Sequence, residues 1–175
     1  MAATSSSQPK NICVLSGFRY GKYKEFVQAA VDFGRAMAER KLHLVYGGGD
    51  RGLSKLISEA AFVRGSYVLG IIPKALKPLG CLPDPPTGEE LVVSYMQERI
   101  SEMLNHANAF IFLLGVFATL EALITFASWA HLNIHKKPIA YKLETDPMTL
   151  VLEWATDDDG SNSRKKCKLD LILRL

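Results

Sequence analysis

Ala109-Phe110-Ile111-Phe112-Leu113-Leu114-Gly115-Val116-Phe117-Ala118-Thr119-Leu120-Glu121-Ala122 joins two kinds of segment. Ala109-Phe110-Ile111-Phe112 is a continuous apolar run, as expected of a strand buried on both faces. Leu123-Ile124-Thr125-Phe126-Ala127 reads as a helix. A strand, a tight turn and a helix N-terminus is where α/β proteins hold phosphates, because free backbone N–H groups and the positive end of the helix dipole face the ligand. Glycines usually build such a turn. Here only Gly115 is glycine, with Val116 and Ala118 where the backbone most needs freedom.

The same alternation extends in both directions. Asn11–Ser16 is a short apolar strand ending at Gly17, and Lys22–Arg40 carries Phe26, Ala30, Phe33 and Met37 on one helical face. Leu42–Tyr46 is a second strand, closed by Gly47-Gly48-Gly49. Leu53–Arg64 is a helix with Gly65 as its stop, and Val68–Ile72 is a third strand ended by Pro73. Lys74–Glu90 reads as a long Pro- and Gly-rich loop, and Glu90–Ala107 as a helix with Met96, Ile100, Met103, Leu104 and Ala107 inward. Pro138–Lys142 is a fifth strand and Pro147–Ala155 a short helix. Strands alternating with helices predict a single α/β domain, a Rossmann-like doubly wound parallel sheet of five or six strands. The domain is expected over residues 11–155. Residues 1–10 read as a disordered lead-in and 156–175 as a flexible charged tail.

Composition fits one such domain. The chain has 175 residues, 48% apolar and 22% charged, with a net charge of +3 concentrated near the C-terminus. That balance implies no nucleic-acid surface, and no apolar run approaches membrane-spanning length. Cys13, Cys81 and Cys167 form no CxxC pair, which fits a reducing compartment and suggests neither a disulfide framework nor a zinc site. The expected location is cytoplasmic, with the nucleus as a second compartment.

Several residues carry candidate chemistry. Gly47-Gly48-Gly49-Asp50-Arg51-Gly52 fits G-x-G-x-x-G between a strand and a helix, which points to phosphate contact; the other reading is a turn that lets a helix pack closely. NAD binding is disfavoured, because Pro73-Lys74 stands where a ribose-binding acid belongs. Arg99 falls at the edge of its helix's buried stripe, as a clamp for a phosphate or carboxylate, or as a surface partner of Glu98 or Glu102. Thr119 suits the N-cap of the helix that follows, with Glu121 in the first turn. A Thr-x-x-Glu capping box is absent, since Ala122 holds its last place. His131 and His135 are four apart but have no evident third ligand, so no metal and no cofactor are expected. Lys136-Lys137 reads as a solvated helix end.

Together these pieces resemble the Lonely Guy family. The likeness runs from about Asn11 to Pro138. It rests on Leu44-Val45-Tyr46-Gly47-Gly48-Gly49 with Gly52-Leu53, Ile71-Ile72-Pro73-Lys74, Thr87-Gly88-Glu89, Met96-Gln97-Glu98-Arg99, Asn108-Ala109-Phe110-Ile111, Thr119-Leu120-Glu121 and Ser128-Trp129-Ala130-His131-Leu132-Asn133-Ile134-His135-Lys136-Lys137-Pro138. The older label of that family, lysine decarboxylase, finds no clear pyridoxal-lysine context here. The resemblance implies hydrolysis of a cytokinin riboside 5'-monophosphate to free base and ribose 5-phosphate. It also implies a homodimer with active sites near the subunit interface. Aligned on Thr119, the signature P-G-G-x-G-T-x-x-E puts its Pro on Leu114, its glycines on Gly115, Val116 and Ala118, and its Glu on Ala122. The family's catalytic Arg falls on Arg99. Glu121 is the nearest carboxylate, turned by about 100° on a helix. After Pro138 the chain departs from the family, as a truncated or alternatively spliced product would.

The resemblance therefore makes Arg99 and Glu121 the catalytic candidates. Gly47, Gly48, Gly49, Gly52, Gly115 and Thr119 are the candidates for binding a nucleotide monophosphate. The rival expectation is a catalytically impaired homologue that acts by binding or dimerisation. Loss of a positioned acid or base typically costs about 10²–10⁴ in rate.

Overall fold

The computed structural model describes residues 10–17, 24–49, 51–77, 86–113, 117–142 and 151–153. The expected lead-in up to residue 9, Gly115, Val116 and the tail from residue 156 lie outside the described residues. Seven strands form one sheet: β1 (Asn11–Ser16), β2 (His43–Tyr46), β3 (Val68–Pro73), β4 (Glu89–Val93), β5 (Ala109–Leu113), β6 (Ile139–Lys142) and β7 (Val151–Glu153). Their order is β4-β3-β2-β1-β5-β6-β7. The first six are parallel and β7 pairs antiparallel with β6. The helices are α1 (Lys24–Glu39), α2 (Gly52–Phe62), α3 (Met96–His106) and α4 (Phe117–His131).

The sheet is buried on both faces, which is why its central strands read as unbroken apolar runs. On β1, Ile12 and Val14 join Phe33 and Met37 of α1 and Ile57 of α2 in one cluster. Cys13 and Leu15 point the other way, into a cluster with Met103 of α3, Phe126 of α4, and Phe110 and Phe112 of β5. Phe126 is wholly buried, its ring centroid 4.4 Å from that of Phe110 and 5.7 Å from that of Phe112. Gly34 lets α1 and α2 cross closely: a β-carbon there would stand 2.5 Å from the Ile57 carbonyl oxygen and 2.8 Å from the Ala60 β-carbon.

Two expectations are corrected. The end of the presumed long loop and the start of the presumed helix from Glu90 are β4, which pairs Leu69 with Glu89 through Pro73 with Val93. The helix begins only at Met96. At the sheet edge β4 covers one side, so Glu89-Glu90-Leu91-Val92-Val93 shows a mixed polar and apolar pattern rather than a buried run. Part of the presumed short helix Pro147–Ala155 is also a strand, β7, whose backbone satisfies the open edge of β6.

Candidate functional site

In open α/β sheets, ligands sit beyond the carboxyl ends of the strands where the strand order reverses. Here that point lies between β1 and β5, where Ser16 pairs with Leu113. The turn after β2 lies beside it, and the N-terminal part of α3 reaches the ends of β2 and β3.

The turn after β2 is shaped by backbone sterics. Gly48 has φ +69°, Gly49 φ +90° and Gly52 φ +70°, all in the left-handed region that side chains disfavour. A β-carbon on Gly48 would also come within 2.7 Å of the Ile72 β-carbon. One on Gly49 would meet nothing within 4 Å. The bareness of Gly49 therefore serves no helix packing, and the space above it is open. α2 starts just beyond, with Arg51 as N-cap and no side-chain cap.

Arg99 closes the other side. Its Nε donates to the Ile71 carbonyl at 3.0 Å and its Nη2 to the Gly47 carbonyl at 2.7 Å, so one guanidinium bridges the ends of β3 and β2. Any side chain on Gly47 would collide with that Nη2. The surface ion pair is corrected: Glu98 accepts the Ser94 N–H at 2.6 Å, and Glu102 faces His106 at 3.4 Å. Among the described residues no carboxylate pairs with Arg99. Burial pushes its pKa down, and the cation is held by carbonyl dipoles instead. Burial also pushes the nearby Cys13 thiol up to about 12, against the pull of Arg99, so Cys13 stays protonated.

Helix α4 places the remaining candidates. Thr119 is buried, but as the third residue of the helix rather than its cap. With alanine at 118, the chain enters the helix earlier than a glycine there would favour. Glu121 is exposed, while Ala122 packs against the cluster of Phe110, Phe112 and Phe126. Adjacent residues of one helix thus face opposite environments, solvent and core.

His131 is exposed, whereas His135 is buried. The His135 Nε2 lies 2.9 Å from the Phe126 carbonyl, and its Nδ1 accepts the Lys137 N–H at 3.2 Å. The first contact makes Nε2 the protonated nitrogen. Among the described residues no three His, Cys, Asp or Glu side chains are grouped to hold a metal ion. Lys137 is not a solvated helix end: its Nζ donates to the Leu104 and Ala107 carbonyls, satisfying the C-terminus of α3. The sequence does not single out Ser16 and Ser54, whose hydroxyl oxygens meet at 2.9 Å beside the strand-order reversal. The available signal was Ser16-Gly17 at the carboxyl end of the central strand.

No described helix is long and apolar enough to cross a membrane. A family model described as "Possible lysine decarboxylase" matches residues 55–144. A probable cytokinin riboside 5'-monophosphate phosphoribohydrolase of Oryza sativa subsp. japonica is 46% identical over 134 residues, 74% of this chain and 56% of the relative. A cytokinin riboside 5'-monophosphate phosphoribohydrolase of Arabidopsis thaliana is 44% identical over 133 residues, 76% of this chain and 61% of the relative. The match thus spans little more than half of each relative's length. Among solved structures, a Moco carrier protein from Chlamydomonas reinhardtii superposes with a TM-score of 0.58 at 17% identity, covering 80% of this chain and 79% of that one. The molybdenum cofactor binding protein from Rippkaea orientalis gives 0.57 at 18% identity, covering 78% and 77%. At that identity the likeness is one of fold. The family match, the close plant relatives and the Gly47–Gly49 turn bridged by Arg99 together show that the chain belongs to the Lonely Guy family, whose model carries the lysine decarboxylase label.

Proposed function

We propose that this chain binds a purine riboside 5'-monophosphate, of the cytokinin class, at the carboxyl edge of its sheet and hydrolyses the N-glycosidic bond. The observation that carries the reading is the Arg99 guanidinium. It is pinned between the Gly47 and Ile71 carbonyls without a carboxylate partner among the described residues, beside a glycine turn with open space above it. A desolvated cation with donors left over favours an anion. In the reaction, water attacks C1' as the bond from C1' to the base nitrogen breaks. The base leaves with the bonding electrons and takes a proton, and ribose 5-phosphate retains the water oxygen. Arg99 holds the phosphate or polarises the leaving base. A carboxylate stabilises the ribosyl cation or activates the water. Glu121 is the candidate for that role.

The opposed environments of Glu121 and Ala122 favour a second reading, a nucleotide-binding homologue with impaired catalysis. The inward position of α4's first turns carries a methyl group, and the carboxylate faces solvent. Incubating the protein with AMP and with isopentenyladenosine monophosphate, then separating products by chromatography, divides the two. Free base with ribose 5-phosphate supports the hydrolase. Binding without base release supports the impaired homologue, and neither binding nor release removes both.

The family likeness also implies a homodimer. The exposed stripe Phe117, Leu120 and Ile124 on α4, 91%, 42% and 58% accessible, supports that assembly. A cytoplasmic location belongs to the same reading.

A further inference from the structure

We propose that Ser16, held by Ser54, donates a hydrogen bond to a phosphoryl oxygen of the bound monophosphate and so selects phosphorylated over unphosphorylated ligand. The inference rests on the anion site proposed above. β1 is the strand between the two halves of the crevice, and Ser16 is its last residue. On one side Val14 pairs with Tyr46, so Ser16 stands two residues further along, beside the Gly47–Gly49 turn. On the other side Ser16 pairs with Leu113, the last residue of β5. Alternation along the strand turns Leu15 toward α3 and α4, and Ser16 toward α2. There its Oγ meets the Ser54 Oγ at 2.9 Å, and Ser54 is only 7% accessible in the first turn of α2.

The hydrogen inventory of this pair sets it apart. Ser58 donates to the Lys55 carbonyl and Ser66 to the Leu42 carbonyl, so each of those hydroxyl protons is committed to backbone. Ser16 and Ser54 carry two hydroxyl protons between them and share one contact, which uses one. Among the described residues neither hydroxyl has a further partner, so one donor remains. An ionised phosphate accepts hydrogen bonds and has none to give, which is the complement of a surplus donor. Arg99 approaches the neighbouring ends of β2 and β3 from the α3 side, so the two donors lie on opposite faces of the sheet at its carboxyl edge. Ser16 is then a binding residue and Ser54 a positioning residue that fixes its rotamer.

Calorimetric titration of the full chain with AMP and with adenosine tests this, using Ser16→Ala, Ser54→Ala, the double variant and Arg99→Ala, with thermal unfolding of each as a fold control. Ser16→Ala should weaken AMP by about tenfold or more and leave adenosine within about twofold, as a hydrogen bond to a charged group predicts. Ser54→Ala should weaken AMP several-fold, with no further loss when added to Ser16→Ala, because it acts through Ser16. Should Ser16→Ala fail to fold, Ser54→Ala carries the same AMP-against-adenosine comparison. Unchanged AMP affinity in both serine variants, or an equal loss for AMP and adenosine, overturns the inference. If Arg99→Ala still loses AMP in that case, the anion site stands without Ser16. If Arg99→Ala also leaves AMP unchanged, or the native chain binds neither AMP nor isopentenyladenosine monophosphate, the proposed function falls with it.

Discussion

Replacing Ala122 by Glu tests whether a carboxylate on the core-facing side of α4 is what base release lacks. Ala122 packs against the Phe110, Phe112 and Phe126 cluster, and Glu121 is exposed. Moving the carboxylate by one residue swings it by about 100°, from solvent to the inner face. A positioned general acid or base is worth about 10²–10⁴ in rate, roughly 3–5 kcal/mol of barrier. The single variant should realise less than about tenfold of that, because the second signature glycine, which the resemblance places at residue 116, is still replaced by the β-branched Val116. Val116→Gly and Ala118→Gly combined with Ala122→Glu should raise base release by about 10² or more, as positioning and the catalytic group return together. The stability cost is moderate. Ala118 is an exposed position of α4, so glycine there costs about 1 kcal/mol, and a Glu at half-buried Ala122 adds some desolvation. The assay compares the native chain, Ala122→Glu and the triple variant on isopentenyladenosine monophosphate, with free base measured by chromatography and folding checked by circular dichroism. A native chain as fast as the triple variant would refute the reasoning, since exposed Glu121 would then suffice. A folded triple variant with no activity would show that the turn is not what limits the reaction.

Three other perturbations follow from the packing. His135 has its pKa lowered, first by burial and then by nearby Lys137, against the opposing Phe126 carbonyl contact. The unfolded chain therefore takes up the proton more readily, and stability should fall as pH drops below the ordinary 6.5, by at most about 1.4 kcal/mol per pH unit. His135→Gln should flatten that slope in thermal melts between pH 7.5 and 5, and an unchanged slope assigns it elsewhere. Phe126→Ala should cost about 3–5 kcal/mol in denaturant unfolding, because the Phe110 and Phe112 rings close around a wholly buried side chain; a loss under 1 kcal/mol would mean the cluster collapses around the gap. Phe117→Asp should shift the chain to monomer in light scattering if the α4 stripe is the subunit interface, and a persisting dimer places the interface on another face.

Much of the architecture is legible locally. Each central strand is a run of apolar residues and each helix has one apolar stripe, so β1, β2, β3, β5 and β6 are readable from hydrophobic patterning. β4 and β7 escape because they lie at the sheet edges. There burial is one-sided or partial, and short segments such as Val151–Glu153 carry too few residues for any period to show. The cap reading of Thr119 fails for a similar reason: a helix start is set by a few backbone dihedrals, and the neighbouring alanine permits an earlier one.

The sequence by itself determined the fold class, the glycine turn after β2 and the family to which the residues around Arg99 belong. These follow from short-range patterns: periodicity, glycine at positions of positive φ, and blocks of fixed spacing. Only the tertiary structure decided what Arg99 touches. Its two carbonyl partners lie 28 and 52 residues away in the chain, on strands brought side by side by sheet pairing. Ser16 and Ser54, 38 residues apart, meet for the same reason. Hydrogen bonds across that separation depend on register and crossing geometry, which the whole core sets and no single segment encodes.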